Sequence, residues 1–427
     1  MCHEESPQER ARRAVDAAWR IEWPPLVAGL TRLTRDIGAA EELAQDALVA
    51  ALEQWPRDGV PPKPGAWLML TAKHRAVDRM RRDENYARKL ALLSDQVLLE
   101  QDGTAEGASA DPDAIEDDLL RLIFTACHPV LSPPARAALT LRMIGGLTTE
   151  EIARAYVVPE STVAQRIVRA KRTIAEKGIP YEVPHGAELV ARLESVLEVI
   201  YLIFNEGYAA TAGDDWMRLE LVQDGLRLAR MVASLMPEEP EAHGLAALLE
   251  LQASRARARS GPGKSLVLLA DQDRSRWDRL LIRRGYAALG RARGLERRRC
   301  LPSGRYTLQA AIAAAHAMAA KPEDTDWPRI AGLYALLAER FPSPVVELNR
   351  SVAVAMVYGP GAGLELADAV AVTGALENYH LLHAVRGDLL DRSGRREEAR
   401  AAFLRAAELT SNAAEQAYLR DRAGASG

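Results

Sequence analysis

The chain has 427 residues and a formal net charge of −4, with 48% hydrophobic and only 5% aromatic residues. This length predicts two to four domains, and the acidic balance excludes a uniformly basic nucleic-acid coat, so that contact with DNA has to be local. No apolar run approaches the roughly 18 residues of a membrane span and nothing resembles a signal peptide, which predicts a cytoplasmic protein without a membrane partner.

Alanine, leucine and arginine dominate the sequence and β-rich runs are scarce, which predicts an all-α fold. Residues 9–34 have helical spacing, interrupted by Pro24 and Pro25. A stronger helix follows from Ala39 to Trp55, with Leu43 on its apolar stripe. Its opposite face carries four polar residues, Glu41, Glu42, Gln45 and Asp46. This face is either simply solvated or a docking surface for a basic partner.

A basic helix is predicted from Trp67 to Arg82, after a turn rich in proline and glycine. Between Lys73 and Arg82 there are five basic residues against one acidic residue, Asp78. The next stretch has the opposite sign, because Ser94 to Asp118 contains nine acidic residues and no lysine or arginine. Few apolar residues interrupt it, so we expect a flexible linker here.

The stretch TTEEIARAYVVPESTVAQRIVRAKRT, from Thr148 to Thr173, is typical of a helix-turn-helix. Thr148 and Glu151 have the spacing of a capping box, and Pro159 is suited to the first position of the second helix. One apolar stripe is predicted for that helix, formed by Val163, Ile167, Ala170 and Ile174. Its polar and basic faces can enter a major groove, although an ordinary helical hairpin would show the same pattern.

Three segments in this order, AAEELAQDALVAALEQW, PGAWLMLTAKHRAVDRMRR and LTTEEIARAYVVPESTVAQRIVRAKR, resemble bacterial sigma-70 family RNA polymerase sigma factors. The resemblance is to the extracytoplasmic-function (ECF) group, and it implies core RNA polymerase and promoter DNA as partners. It further implies sigma domain 2 over 10–90, an acidic linker over 91–113 and sigma domain 4 over 114–183.

By this resemblance, three sets of residues have roles. The polymerase-binding set is Glu41, Glu42, Leu43, Gln45 and Asp46. The set for the −10 promoter element is Lys73, His74, Arg75, Asp78, Arg79 and Arg82, with His74 at a position where the family usually has asparagine. The set for the −35 element is Ser161, Thr162, Gln165, Arg166, Arg169, Lys171 and Arg172.

Residues 184–427 form a second half that minimal ECF factors lack, and its patterns predict helices throughout. Between Gly387 and Ala406 the alternation of small and large residues fits a tetratricopeptide (TPR) repeat, with Phe403 filling the gap between repeats. A generic helical bundle is the alternative. Phrases such as VIYLIFNEGY and LLADQDRSRWD resemble one ECF subgroup with a TPR-like extension, which implies a regulatory domain that binds a protein or peptide partner.

Two functions fit these observations: a sigma factor acting with polymerase, or an operator-binding regulator acting without it. The acidic-faced helix joined to the first basic helix favours the sigma factor, because an operator binder needs neither. An enzyme is not expected, since the sequence shows no catalytic residues, metal-ligand spacing or cofactor motif. The pair Cys127 and His128 has no third ligand nearby, and we expect both to pack.

Overall fold

A computed structural model describes residues 7–82, 112–156, 158–209, 212–213, 217–259 and 267–425. The predicted all-α fold is confirmed: helices account for nearly all regular structure in these residues. The chain divides into two compact units, Met1–Arg154 with Val158–Val199, and Ile200–Gly427 with Ala155–Val157. Most of the predicted acidic linker, 91–113, lies outside the described residues.

Seven helices occupy the described residues from 7 to 176. They are α1 (Pro7–Thr34), α2 (Ile37–Asp58), α3 (Pro64–Arg82), α4 (Pro112–Ala126), α5 (Pro133–Met143), α6 (Thr149–Tyr156) and α7 (Glu160–Glu176). The first three pack against one another, and α1 also contacts α4 and α5. Asp36 explains where α2 begins, because its carboxylate accepts hydrogen bonds from the free amides of Gly38 and Ala39.

The predicted interruption of the first helix at Pro24 and Pro25 is wrong, because α1 runs through both prolines. Each proline removes a backbone hydrogen bond, at a cost of about 3 kcal/mol in a helix interior. Around them Trp23 and Val27 are fully buried in the first unit. Burying such side chains contributes about 1.5–3 kcal/mol each, and this packing offsets the weakened backbone.

The helix α8 (Gly186–Tyr208) begins in the first unit, and ten further α-helices follow in the described residues of the second. They are α9 (Leu219–Leu235), α10 (Pro240–Ala253), α11 (Arg279–Arg298), α12 (Arg305–Met318), α13 (Trp327–Arg340), α14 (Pro344–Tyr358), α15 (Pro360–Val372), α16 (His380–Arg392), α17 (Arg396–Leu409) and α18 (Ala413–Ala425). From α9 onward each helix packs against the next along the chain. Two short strands, β1 (Ala212–Gly213) and β2 (Ser411–Asn412), pair in parallel. No helix in the described part of the chain is long and apolar enough to cross a bilayer.

The predicted close approach of two helices near the C-terminus is present between α16 and α17. A Cβ atom added at Gly387 would lie 2.8 Å from the ring of Phe403, so only glycine allows this contact. Phe403, Ala399 and Ala406 are buried in the cluster that the two helices share. Gly394 turns the chain between them with a φ of 76°, a left-handed conformation that favours glycine. The packing agrees with the TPR pattern, and the assignment to that repeat family stays a prediction.

The two compact units are bounded differently from the predicted domains, whose limits stay a prediction. The proposed domains 2 and 4 lie together in the first unit, and the division falls after Val199 rather than after Val183. The reason is that the start of α8 bonds to the first unit: Arg192 donates to the carbonyl oxygen of Phe124, and Ser195 to that of Cys127. The proline- and glycine-rich stretch around Val183 separates α7 from α8, but it does not separate the two compact units.

His316 should make the second unit sensitive to acid. Burial, with Arg255 and Arg274 nearby, lowers the pKa of this histidine from about 6.5 to about 3. Below pH 6.5 the unfolded chain therefore binds a proton that the folded chain does not, and the free energy of unfolding falls. Between pH 6.5 and pH 5 this difference lowers the free energy of unfolding of the parent chain by about 2 kcal/mol, at about 1.4 kcal/mol per pH unit. We expect His316→Gln to abolish that part of the pH dependence.

Urea unfolding followed by circular dichroism at several pH values would measure this difference. The exposed His185 supplies the control, because His185→Gln should leave the pH dependence as it is in the parent chain. Parallel pH profiles for the His316 variant and the parent chain would contradict the prediction.

Candidate functional site

The helix-turn-helix predicted from the sequence is formed by α6 and α7. The capping box is present: the amide of Thr148 donates to the Glu151 carboxylate at 2.8 Å, and the amide of Glu151 to the Thr148 hydroxyl at 3.1 Å. Pro159 precedes α7 as its N-cap residue, one position earlier than predicted. The predicted apolar stripe is confirmed, since the buried residues of α7 are Val163, Ile167, Ala170 and Ile174. The other faces of α7 are thereby left for binding.

The polar residues of α7 differ in whether another residue of the chain engages them. Gln165 and Arg169 are exposed and Arg166 is half-buried, and none of the three bonds to another side chain in the described structure. Ser161 is exposed and Thr162 half-buried beside them. In contrast, Arg172 donates to Glu176 at 2.6 Å, and Lys171 bonds to Glu41 of α2. The groups most available to DNA therefore lie in the first half of α7.

The acidic face predicted on α2 is only partly exposed. Glu42 and Asp46 are exposed, but Glu41 has 5% exposure and is wrongly placed on a solvent-facing surface by the sequence pattern. One Glu41 carboxylate oxygen accepts from Arg142 Nε at 2.6 Å, and the other bonds to Lys171 Nζ. Gln45 is half-buried, 3.4 Å from Glu41, and Leu43 is buried in the core. Glu41 thus joins α2 to both α5 and α7.

Arg142 is held in place by aromatic residues of α1 as well as by Glu41. Its guanidinium lies 5.2 Å from the ring of Trp19 and 5.5 Å from that of Trp23, within the range of cation–π attraction. The indole of Trp23 donates to the carbonyl oxygen of Arg142 at 3.0 Å, and that of Trp19 to the carbonyl oxygen of Gly146. A buried charge needs such pairing to be tolerated. Glu41, Trp19 and Trp23 come from distant segments, and the carbonyl oxygen of Leu147, 3.2 Å from Arg142 Nη1, is a partner close by in the chain.

A second polar cluster ties α1 to α4 and to the segment after α7. The hydroxyl of Tyr181 lies 2.9 Å from the carbonyl oxygens of Ala28 and Asp118. The Asp118 carboxylate is 3.0 Å from Arg32 and 2.8 Å from Arg121. Burial nonetheless raises the pKa of Asp118, because it outweighs the two arginines. The first unit is therefore closed by polar contacts at two places.

The first basic helix, α3, lies against α2 through Arg75. Its guanidinium donates to the carbonyl oxygen of Asp46 at 2.6 Å and lies 3.8 Å from the Asp46 carboxylate. Lys73 is half-buried, whereas His74 and Asp78 are exposed. The side chains of the two remaining predicted residues, Arg79 and Arg82, lie outside the described part of the structure.

Cys127 is buried in the fold, as the sequence predicts, whereas His128 is half-buried and accepts a hydrogen bond from the amide of Val130 at 3.0 Å. Cys127 Sγ lies 3.2 Å from the Thr140 hydroxyl, and burial raises the pKa of the thiol to about 11. A thiol with that pKa is protonated at neutral pH and is a poor nucleophile. Among the described residues no group of three or more metal-binding side chains occurs.

Sequence reasoning missed Arg142, Trp19, Trp23 and Tyr181. Arg142 stands in the helical run LTLRM, where an arginine is ordinarily solvated. Its carboxylate partner is 101 residues away, so no local period could indicate the pair. The rings of the two tryptophans stack with centroids 4.1 Å apart. Their i,i+4 spacing predicts that they are neighbours on a helix, but it does not indicate that Arg142 contacts them.

The fold and the site define a helical DNA-binding protein with a second unit whose described residues are helical apart from two short paired strands. Family models for sigma-70 region 2 and sigma-70 region 4 match residues 23–86 and 121–174, and a family of unknown function (DUF6596) matches residues 192–293.

Among similar proteins, an uncharacterized protein of Rhizobium meliloti (strain 1021) is 42% identical over 95% of this chain and 94% of its own. The ECF RNA polymerase sigma factor SigK of Mycobacterium ulcerans is 30% identical, over 34% of this chain and 74% of its own. The probable ECF sigma factor SigI of Mycobacterium tuberculosis is 29% identical, over 44% and 67%. The chain belongs to the sigma-70 family of RNA polymerase sigma factors, in the ECF group, and this is a family of transcription factors rather than enzymes.

Proposed function

We propose that the chain acts in the cytoplasm as an alternative sigma factor, binding core RNA polymerase through α2 and promoter DNA through α3 and α7. The observation that carries this proposal is that sigma-70 regions 2 and 4 are both present. In addition, Gln165, Arg166 and Arg169 of α7, the proposed recognition helix, bond to no other side chain in the described structure. Run-off transcription with purified core polymerase tests it, because an operator binder acting without polymerase would yield no specific transcript.

In this proposal α7 reads the −35 element with Gln165 and Arg166. A glutamine can bond to both edge atoms of adenine and an arginine to those of guanine, each worth roughly 1–3 kcal/mol of discrimination. Replacing both with alanine should relax base preference in a library of randomised −35 sequences. Arg169→Ala should instead weaken all promoters alike and lower the salt slope by about one.

Val168 supplies a control on the same helix, because its side chain is 62% exposed and apolar. Val168→Ala should leave base preference intact. If the Gln165 and Arg166 variants also kept the parent preference, α7 would not be the reading helix.

The polymerase contact is proposed for the exposed carboxylates of α2. Reversing Glu42 and Asp46 to lysine should weaken capture of core polymerase about tenfold or more, because like charges facing each other at an interface cost several kcal/mol. The matched control is Glu53→Lys, at an exposed position further along the same helix. Normal capture by the double variant, with helicity intact in each protein, would remove α2 from the interface.

Glu41 enters this proposal only when the first unit opens. In the closed arrangement its carboxylate is occupied by Arg142 and Lys171, so polymerase cannot reach it and Lys171 cannot reach DNA. Opening exchanges these internal pairs for pairs with polymerase and phosphate. The proposed activation step is therefore the separation of α2 from α5 and α7.

The second unit is proposed to regulate the sigma regions and to bind a protein or peptide partner. Support comes from its arrangement, in which successive helices pack in sequence as in a repeat domain. The tight α16–α17 pair provides the regular geometry that such a surface needs.

A further inference from the structure

Six exposed arginines lie on one face of α11, in the second unit. At 100° per residue they fall within a sector of about 140° along the helix. They are Arg279, Arg283, Arg284, Arg291, Arg297 and Arg298, and together they form what we call the arginine face. The other exposed residues on this face are one leucine, Leu280, and two small residues, Ala287 and Gly290.

No carboxylate of the described residues neutralises the arginine face. The single acidic residue of α11 is Glu296, which has 4% exposure and accepts hydrogen bonds from the Ser303 hydroxyl at 2.8 Å and the Gly304 amide at 2.9 Å. None of the six arginines forms an ion pair with any residue that the structure describes. The helix instead places like charges four residues apart, as at Arg279 and Arg283, which is unfavourable in the absence of a partner.

This absence contrasts with several arginines elsewhere in the second unit that pair with a carboxylate three residues away. Arg350 lies 3.0 Å from Glu347, Arg395 lies 2.6 Å from Glu398, and Arg405 lies 3.1 Å from Glu408. These three segments therefore alternate their charges, as solvated surfaces commonly do. The arginine face does not, and that distinguishes it as a binding surface.

The positive surface continues past the start of α11 into a cleft of about 790 Å³. Arg257, Arg276 and Arg279 line this cleft around the buried Trp277. Its one carboxylate, Asp278, accepts hydrogen bonds from the amides of Leu280 and Leu281 and so caps the helix. With a rise of about 1.5 Å per residue, α11 alone extends the basic surface over about 30 Å.

A surface of this length fits a polyanion with regularly spaced charges. B-DNA repeats its backbone about every 34 Å, and guanidinium groups match phosphate oxygens with two parallel hydrogen bonds. A protein interface would instead centre on several buried aromatic or aliphatic anchors, and this face offers one such side chain, Leu280, at its start. We propose that the arginine face binds the phosphate backbone of duplex DNA without reading its sequence, as a contact additional to α7.

The test uses the full chain, with Arg166 and Arg169 changed to alanine to remove the proposed base and phosphate contacts that these arginines make from α7. Binding to a duplex of random sequence is measured over a series of salt concentrations. Changing Arg283, Arg284, Arg291 and Arg298 to glutamine should weaken binding at low salt at least tenfold. It should also reduce the slope of log affinity against log salt by roughly three to four, since each phosphate contact contributes about 0.9.

The matched control changes the paired arginines Arg395 and Arg405 to glutamine, which should leave the slope and affinity unchanged. All proteins should have the same thermal unfolding midpoint, so that a change in DNA binding is not caused by misfolding. An unchanged slope in the quadruple variant, or an equal loss in the control, would overturn the proposal. Polyglutamate binding that matches DNA binding would also overturn it, by reassigning the face to an acidic protein. Promoter preference and run-off transcription do not enter this readout, so its failure is distinct from failure of the sigma-factor proposal.

Discussion

Replacing Arg142 with alanine is expected to lower the free energy of unfolding of the first unit by about 3 kcal/mol or more. Removing one partner of a buried ion pair typically costs about 3–5 kcal/mol, because the remaining charge stays buried without compensation. Glu41 would keep Lys171 as a partner, which favours the lower end of that range. The stacking of Arg142 on Trp19 and Trp23 would be lost as well.

A double-mutant cycle with Glu41→Gln isolates the pair from these other contacts. We expect the second substitution to cost much less in the Arg142→Ala background than in the parent chain. Arg154, exposed at the end of the same region, provides the control, and Arg154→Ala should change stability little. Urea unfolding followed by tryptophan fluorescence gives the energies. Additive effects of the two changes would show that Glu41 and Arg142 do not interact in solution.

Cutting the chain after Val183 is expected to destabilise the first unit by about 2–6 kcal/mol relative to a chain cut after Val199. The shorter chain loses Arg192 and Ser195, the donors to the buried carbonyl oxygens of Phe124 and Cys127. Each buried carbonyl left without a donor costs about 1–3 kcal/mol. Arg136 also loses its partners Ser195 and Glu198.

Urea unfolding of the two truncated chains measures the difference, and the single change Arg192→Ala in the intact chain should reproduce part of it. Equal midpoints would mean that residues 184–199 contribute nothing to the first unit. Run-off transcription by the chain cut after Val199 then tests the proposed regulation. Activity equal to that of the intact chain would leave the second unit without a regulatory role.

Local patterns allowed much of the DNA-binding site to be predicted. The capping box of Thr148 and Glu151 and the stripe from Val163 to Ile174 are set by neighbours three to four residues apart, and both are present. Glu41 was placed wrongly because periodicity separates apolar from polar faces but does not show which polar side chains acquire a buried partner. Its two partners lie 101 and 130 residues further along the chain.

The prediction that the first helix is interrupted at Pro24 is wrong for a related reason. A proline weakens a helix locally, and the packing that compensates it, around Trp23 and Val27, comes from other helices. The boundary near Val183 was likewise inferred from local composition. The hydrogen bonds from Arg192 and Ser195 that extend the first unit to Val199 involve partners 68 residues away.

The bond between Arg75 and Asp46 has a thermodynamic consequence for the order of binding events. Arg75 lies in the set proposed for the −10 element and Asp46 in the set proposed for polymerase, yet the two residues contact each other in the isolated chain. If polymerase engages the Asp46 carboxylate and DNA engages Arg75, as proposed, either ligand would remove the 3.8 Å contact between the two side chains. Linkage requires the two effects to be equal in free energy, so each ligand would raise the affinity for the other by the same factor.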